Sequence, residues 1–317
     1  MTQVACIGEC MIELKQAPGG EAGLYARGFG GDTLNTAVYL ARLGVAVDYI
    51  TALGDDPYSD EMIEGWRAEG VGTGKVARIK GKLPGLYMIE TDATGERRFL
   101  HWRDSAAARA LLDLPETESL LQSLSDYVLV YFSAITLSIY PESGRARLLG
   151  ALRQARSRGT RVVFDTNFRA RGWPDLDIAR RVFRDAFETV DIVLASSEDL
   201  LPLYPSEAPE GLLALMSCGE TVLKLGPAGS IARFGGQSHS IAAEKVTAPV
   251  VDTTAAGDSF AAAYLAARLA GIAPVEAARA GHCLAGVVVC HPGAIIPRSA
   301  MPAHPASSLA SPRRAPS

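Results

Sequence analysis

Val251-Asp252-Thr253-Thr254-Ala255-Ala256-Gly257-Asp258-Ser259-Phe260 decides how the rest of the chain is read. Ahead of it, Glu244 to Val250 has the make-up of a strand entering a turn. Behind it, Ser259 to Ala270 is an alanine-rich apolar run of helical length. The stretch is therefore a loop that feeds a helix N-terminus. Three small residues, Ala255, Ala256 and Gly257, leave backbone N–H groups uncovered, and those donors together with the positive end of the helix dipole suit a phosphate. Asp258 stands among the same donors. It can serve as a cap of the helix or as a base facing a phosphate-bearing ligand, and this stretch alone leaves both readings open.

Working outward, a second loop-to-helix junction lies near the start of the chain. Arg27-Gly28-Phe29-Gly30-Gly31-Asp32-Thr33-Leu34-Asn35-Thr36-Ala37 runs from a glycine-rich turn into a helical pattern closed by Gly44. No Gly-Lys-Ser/Thr follows and the third glycine of the dinucleotide fingerprint is missing, so neither nucleotide motif applies. Asp32 and Asn35, three apart in the first turn, can face one ligand and suit hydroxyl groups; alternatively Asp32 is an N-cap and Asn35 an ordinary first-turn residue.

Apolar strand-like runs from Gln3 to Gly8, Val45 to Leu53, Tyr127 to Ser133, Thr160 to Phe164, Asp191 to Ala195 and Thr221 to Leu225 alternate with helical stretches. Those stretches run from Tyr58 to Glu69, Pro141 to Arg158, Leu176 to Glu188 and Val275 to Cys290. This rhythm predicts an α/β fold around a parallel sheet. Glu9 and Glu13, after the first strand, read as solvated acids. Gly85 to Arg103 breaks the rhythm: two β-rich runs flank Asp92-Ala93-Thr94-Gly95, a hairpin that would form a flap with Tyr87, His101, Trp102 and Arg103 near its base. Asp165-Thr166-Asn167-Phe168-Arg169 closes one strand and Lys224-Leu225-Gly226-Pro227-Ala228-Gly229-Ser230 another, at the strand ends where open α/β sheets bind ligands. The Pro-, Ser- and Ala-rich end, 303–317, reads as a disordered tail.

With 317 residues the chain can bury a large core, and its net charge of −4 gives no reason to expect nucleic acid or an anionic membrane as partner. No apolar run reaches the roughly 20 residues of a membrane span, and the start reads as a strand rather than a signal peptide, so a cytoplasmic protein is expected. Five cysteines without metal-ligand spacing read as reduced thiols. An aspartate within an anion nest points to transfer of a phosphoryl group to a hydroxyl, chemistry that rests on positioning and electrostatics. The motifs of P-loop enzymes, protein kinases and α/β-hydrolases are not there.

Asp252-Thr253-Thr254-Ala255-Ala256-Gly257-Asp258 resembles the D-T-x-x-A-G-D signature of the ribokinase-type (PfkB) carbohydrate kinases, and Gly30 to Asn35 resembles their sugar-binding glycine motif. Gly8 to Leu14, Gly28 to Thr36, Leu83 to Tyr87, Ile89 to Asp92 and Gly293 to Arg298 are similar to the branch of that family acting on 2-keto-3-deoxygluconate. The resemblance covers nearly all of 1–302. It implies a single Rossmann-like three-layer α/β/α domain over 1–302 with a small β-sheet lid from about 9–30 and 82–104, and ATP- and Mg²⁺-dependent phosphorylation of the sugar acid at its terminal hydroxyl. By the family pattern Asp258 is the base, and Ala255, Ala256 and Gly257 form the anion hole. The sugar site falls on Gly30, Gly31, Asp32, Asn35, Tyr87, His101, Trp102 and Arg103, with Arg169 meeting both substrates. Nucleotide contacts fall on Asn167, Arg169, Lys224, Gly226, Ala228 and Gly229. A monovalent cation, K⁺, would sit on Asp252 and Thr254, with Val288, His291 and Gly293 as weaker matches.

Arg103 and Arg169 supply forked donors that fit a carboxylate, although one of them could serve only the ATP phosphates. Ser196-Ser197-Glu198-Asp199 departs from the family's N-x-x-E motif near the metal, and Glu198 or Asp199 is left to supply the acid. The alternatives are a family kinase for a neutral sugar such as fructose or ribose, and a non-catalytic sugar-binding regulator, which would be expected to lack the acid of Asp258. A lid with exposed edges also allows a homo-oligomer.

Overall fold

The computed structural model describes residues 3–16, 23–91, 97–246 and 248–302. In chain order its strands are β1 (Val4–Ile7), β2 (Met11–Gln16), β3 (Tyr25–Gly30), β4 (Val47–Leu53), β5 (Val76–Arg78), β6 (Leu86–Thr91), β7 (Arg97–Trp102), β8 (Leu129–Ser133), β9 (Arg161–Asp165), β10 (Ile192–Ser196), β11 (Glu220–Lys224), β12 (Ser230–Phe234) and β13 (Gln237–Ile241). Nine of them form one sheet in the order β13-β12-β11-β10-β9-β8-β1-β4-β5. From β11 to β5 all neighbours are parallel, and β12 and β13 add an antiparallel edge.

Strands buried on both faces need apolar side chains pointing both ways, and the alternation of each strand sorts them. Cys6, Tyr131, Val163 and Leu194 pack beneath the helices Asp32–Arg42, Pro57–Ala68, Ala256–Leu269 and Pro274–Val288. Ile7, Phe132, Phe164 and Val193 face Glu142–Ser157, Leu176–Thr189 and the 3₁₀ turns at Ala107–Asp113. The result is a three-layer α/β/α body. Strand order reverses between β1 and β8, since β4 lies on one side of that boundary and β9 to β11 on the other. The loops leaving those two strands diverge, which opens a crevice at their carboxyl ends.

A second, four-stranded sheet in the order β3-β2-β6-β7 is built from two insertions, one after β1 and one after β5. Its β2–β6 pair is parallel, whereas β2–β3 and β6–β7 are antiparallel. The expected turn at Asp92-Ala93-Thr94-Gly95 and the expected tail at 303–317 lie outside the described residues. No helix among the described residues is long and apolar enough to cross a membrane.

One expectation fails outright. Ala242 to Val246 carries no strand, and Val250 and Val251 are exposed. The β-branched residues that suggested a strand are followed by Pro249, which has no N–H for a ladder. The edge position is taken instead by β12 and β13, paired from Ser230↔Ile241 to Phe234↔Gln237.

The two helices nearest the crevice touch through a glycine. A Cβ added at Gly281 would lie 2.7 Å from two ring carbons of Phe260. Replacing glycine by alanine within a helix gains about 1 kcal/mol of propensity, whereas overpacking costs about 1–3 kcal/mol. The ring contact is too close for the gain to win. Gly281→Ala is therefore expected to lower the urea midpoint with an unchanged denaturant slope, as measured by equilibrium unfolding.

Candidate active site

Two helix N-termini meet in the crevice. The helix Ala256–Leu269 begins after Ala255, whose φ of 60° and ψ of 16° lie in the left-handed region. Among the described residues it is the only non-glycine with positive φ. A side chain there costs about 1–2 kcal/mol, strain of the kind that collects at functional sites. Ala255, Ala256, Gly257 and Asp258 all line the cleft. The Ala256 N–H donates to the Thr253 carbonyl at 3.2 Å, so that member of the expected anion hole is committed to the turn itself. Gly257 lies close to Lys224: a Cβ added there would be 3.4 Å from Nζ.

The helix Asp32–Arg42 supplies the second N-terminus. Gly31 precedes it in extended backbone, and a Cβ there would lie 2.3 Å from the Glu9 carbonyl oxygen, so the close approach of the two loops requires glycine. Asn35 Nδ2 donates to Asp258 Oδ2 at 2.8 Å. Thr36 Oγ1 donates to the Asp258 carbonyl at 3.3 Å. Asp258 lies partly exposed on the cleft floor, yet the surrounding protein removes most of its hydration. That desolvation, reinforced by the charge of Asp32 and opposed by the Asn35 hydrogen bond, pushes its pKa up to about 8.

Further acids surround it. Asp32 Oδ2 accepts from Asn167 Nδ2 at 2.9 Å, and burial holds the Asp32 carboxyl above the usual range. Asn167, expected on the nucleotide side, is thus spent on fixing Asp32. Asp165 accepts from Tyr131 Oη at 3.2 Å and from Lys224 Nζ at 3.4 Å. Asp199 accepts from Thr166 Oγ1 at 3.0 Å and from Arg169 Nη1 at 3.3 Å, and burial followed by the nearby Asp165 raises its pKa. Arg169 is well exposed at the cleft. Gly226 and Gly229 adopt positive φ on the turn after β11 and line the cleft.

The smaller sheet closes the other side. Glu9, 2 % exposed, pairs with Arg103 Nη2, while Glu9 Oε1 and Arg103 Nε are buried without a hydrogen-bond partner. Glu9 is therefore no solvated acid. Glu13 is half-buried, and its Oε2 accepts from Tyr87 Oη. Gly30 makes room for that hydroxyl, since a Cβ there would lie 2.1 Å from it. Tyr87 and His101 stack with centroids 5.8 Å apart, and desolvation lowers the His101 pKa. Trp102 does not line the cleft and is 57 % exposed, because adjacent residues of a strand point to opposite faces and His101 takes the inner one. Ala228 also stays out, exposed on its turn.

At the expected K⁺ site the Asp252 carboxylate is hydrogen-bonded through both oxygens. Asp252 Oδ1 accepts from the Thr254 N–H at 3.0 Å and from Thr254 Oγ1 at 2.6 Å, and Oδ2 from the Gly293 N–H at 3.0 Å and from Lys15 Nζ at 3.4 Å. His291 Nδ1 faces the Val287 carbonyl at 2.9 Å. Among the described residues no group of three or more His, Cys, Asp or Glu is arranged to hold a metal ion.

Sequence reading missed Glu9 and Lys15, whereas it placed Asp165 at a ligand-binding strand end and left Asp199 as a candidate acid. A signal existed for Glu9, since it comes just after a buried strand that opens onto the crevice. The cleft has a volume of about 2870 Å³, with room for two ligands side by side.

The chain is 44 % identical over 310 residues to the 2-dehydro-3-deoxygluconokinase of Dickeya dadantii, covering 95 % of this chain and 98 % of that one. It is 41 % identical to that of Escherichia coli K12, over 95 % and 99 %. Among solved structures, a 2-dehydro-3-deoxygluconokinase from Thermotoga maritima superposes with a TM-score of 0.81 at 23 % identity, covering 93 % of this chain and 96 % of the other. A fructokinase with bound ATP from Xylella fastidiosa does so with a TM-score of 0.81 at 24 % identity, covering 95 % of each. These structural likenesses establish the ribokinase-like α/β fold. Residues 1–301 match the pfkB family carbohydrate kinases, and the chain belongs to that family.

Proposed function

We propose that the protein transfers the γ-phosphoryl group of ATP to the terminal hydroxyl of 2-keto-3-deoxygluconate, giving 2-keto-3-deoxy-6-phosphogluconate. The observation that carries this reading is Asp258, held by Asn35 between two helix N-termini. Asp258 accepts the proton of the attacking hydroxyl. The hydroxyl oxygen forms a bond to the γ-phosphorus, the bridging P–O bond breaks, and ADP leaves with the electron pair. Gly257, Lys224 and the positive end of the helix Ala256–Leu269 hold the transferring phosphate, with Ala255 and Ala256 shaping the turn beneath it.

The sugar acid lies against Gly30, Gly31, Asp32, Tyr87 and His101. The guanidinium of Arg103, whose side chain keeps 18 % of its surface exposed at the cleft, is a donor for a ligand oxygen, and Arg169 offers a fork from the opposite wall. The nucleotide lies over Gly226 and Gly229. Mg²⁺ arrives with the nucleotide phosphates and keeps much of its water, as this ion does. Asp165 and Asp199, whose mutual repulsion a cation would relieve, are the residues that would hold it, and the ion supplies charge neutralisation.

On this reading 1–302 forms one kinase domain with its lid at 9–30 and 82–104. The lid-sheet edges β3 and β7 would be the place for a homo-oligomer to form. The five cysteines are free thiols, in keeping with a cytoplasmic enzyme.

The deciding experiment is a coupled ADP-release assay with 2-keto-3-deoxygluconate, its galactonate epimer, fructose and ribose. Turnover of the keto-acid is expected, and turnover of a neutral sugar alone would overturn the assignment. Asp258→Asn should lower kcat by about 10²–10⁴-fold. A base with a pKa of about 8 is active when deprotonated, so kcat/KM is expected to climb with pH and level off above that value.

Stability should move the other way. The carboxyl is raised from 3.8 to about 8 on folding, so the stability held by its protonated form is present below the lower value and lost as pH rises through the higher. Asp258→Asn, which cannot ionise, is expected to gain in melting temperature over the parent chain between mildly acidic and alkaline buffer. Parallel melting curves would reject the raised pKa.

A further inference from the structure

We propose that the ε-ammonium of Lys15 is the resident cation of the Asp252 pocket, so that the protein works without a monovalent metal ion and its lid is fastened to the loop leading into the helix of Asp258.

Asp252 is 4 % exposed and lies six residues before Asp258, in the main body. A carboxylate offers about four lone-pair positions. Donors approach both oxygens: the Thr254 N–H and hydroxyl reach Oδ1, and the Gly293 N–H and the Lys15 ammonium reach Oδ2. A metal ion needs oxygen lone pairs turned towards it. Two of these donors are backbone N–H groups, and an ion joining Oδ2 would meet the like charge of Lys15. The charge that the buried carboxylate requires is supplied within the chain, by a side chain that keeps 31 % of its own surface in contact with solvent.

The position of Lys15 adds a second consequence. It lies on β2 in the smaller sheet, paired with Ala26 on one side and Ile89 on the other, whereas Asp252 belongs to the body. Their 3.4 Å contact therefore joins the two parts of the molecule. A diffusible ion in its place would neutralise Asp252 without tying down the lid.

The inference rests on the kinase reading only for its activity measurement. Melting temperatures of the full chain in potassium, sodium and choline chloride at matched ionic strength test it separately. The parent chain should melt at one temperature in all three salts. Lys15→Met, which keeps the apolar stem and removes the charge, should melt higher in potassium than in choline, because the ion then binds the folded state. Lys15→Arg should behave like the parent chain.

In turnover assays the parent rate should be equal across the salts. Lys15→Met should lose about tenfold in choline and recover in potassium, a coupling of ordinary size. A potassium-specific rise in melting temperature or rate for the parent chain overturns the proposal, as does a Lys15→Met variant indifferent to salt with an undiminished rate. Absence of turnover on the keto-acid in every salt would reject the substrate reading, while the melting temperatures still decide the cation.

Discussion

The hydrogen bond from Asn35 to Asp258 joins the first turns of two helices whose positive ends point into the same crevice. Bringing two such ends together is unfavourable unless negative charge lies between them. Asp32, in one first turn, and Asp258, in the other, place carboxyl oxygens there as acceptors and, once ionised, as charge. The acids also need the helices, since carboxylates this far from water would otherwise be strongly disfavoured. Helix packing and acid placement are thus one constraint, and the Thr36 hydroxyl tightens it by reaching both the Asp32 and the Asp258 carbonyls.

The sheet explains why the constraint falls here. Strand order reverses between β1 and β8; the loop after β1 carries Glu9, Ser133 ends β8 and Asp165 ends the next strand. Four acids, Glu9, Asp32, Asp165 and Asp258, consequently share one opening. Their repulsion is distributed over separate partners: Arg103 for Glu9, Asn167 for Asp32, Lys224 for Asp165 and Asn35 for Asp258. Asp32 and Asp258 both have neutral amide partners, and burial raises the pKa of each.

Much of the body was legible because buried parallel strands must be continuous apolar runs, and because helices such as Asp32–Arg42 and Glu142–Ser157 are followed by Gly44 and Gly159, both at positive φ. The turn feeding the helix Ala256–Leu269 was legible for a related reason: a run of small residues lets the chain turn tightly into a helix. The edge strands β12 and β13 were not, since sequences such as Gln237-Ser238-His239-Ser240 show no apolar run. Glu9 and Glu13 were misread because their partners, Arg103 and Tyr87, lie 94 and 74 residues away. Trp102 was a different kind of error. Strand alternation forbids His101, Trp102 and Arg103 from all facing one ligand, and that argument needed no structure.

The pairing of Arg103 with Glu9 also changes what the lid arginine means for an acidic substrate. A buried Glu9 without a partner would oppose any carboxylate entering the cleft, and burial already lifts its pKa in spite of Arg103. Neutralising it is the first requirement for admitting a sugar acid, and Arg103 meets that with one nitrogen while its Nε–H stays unpaired. Arg103 thus removes a repulsion and retains a donor. A lysine could not do both, because a single ammonium has no rigid fork to divide between two carboxylates. The charge that this wall presents to the cleft therefore depends as much on the buried glutamate as on the arginine paired with it.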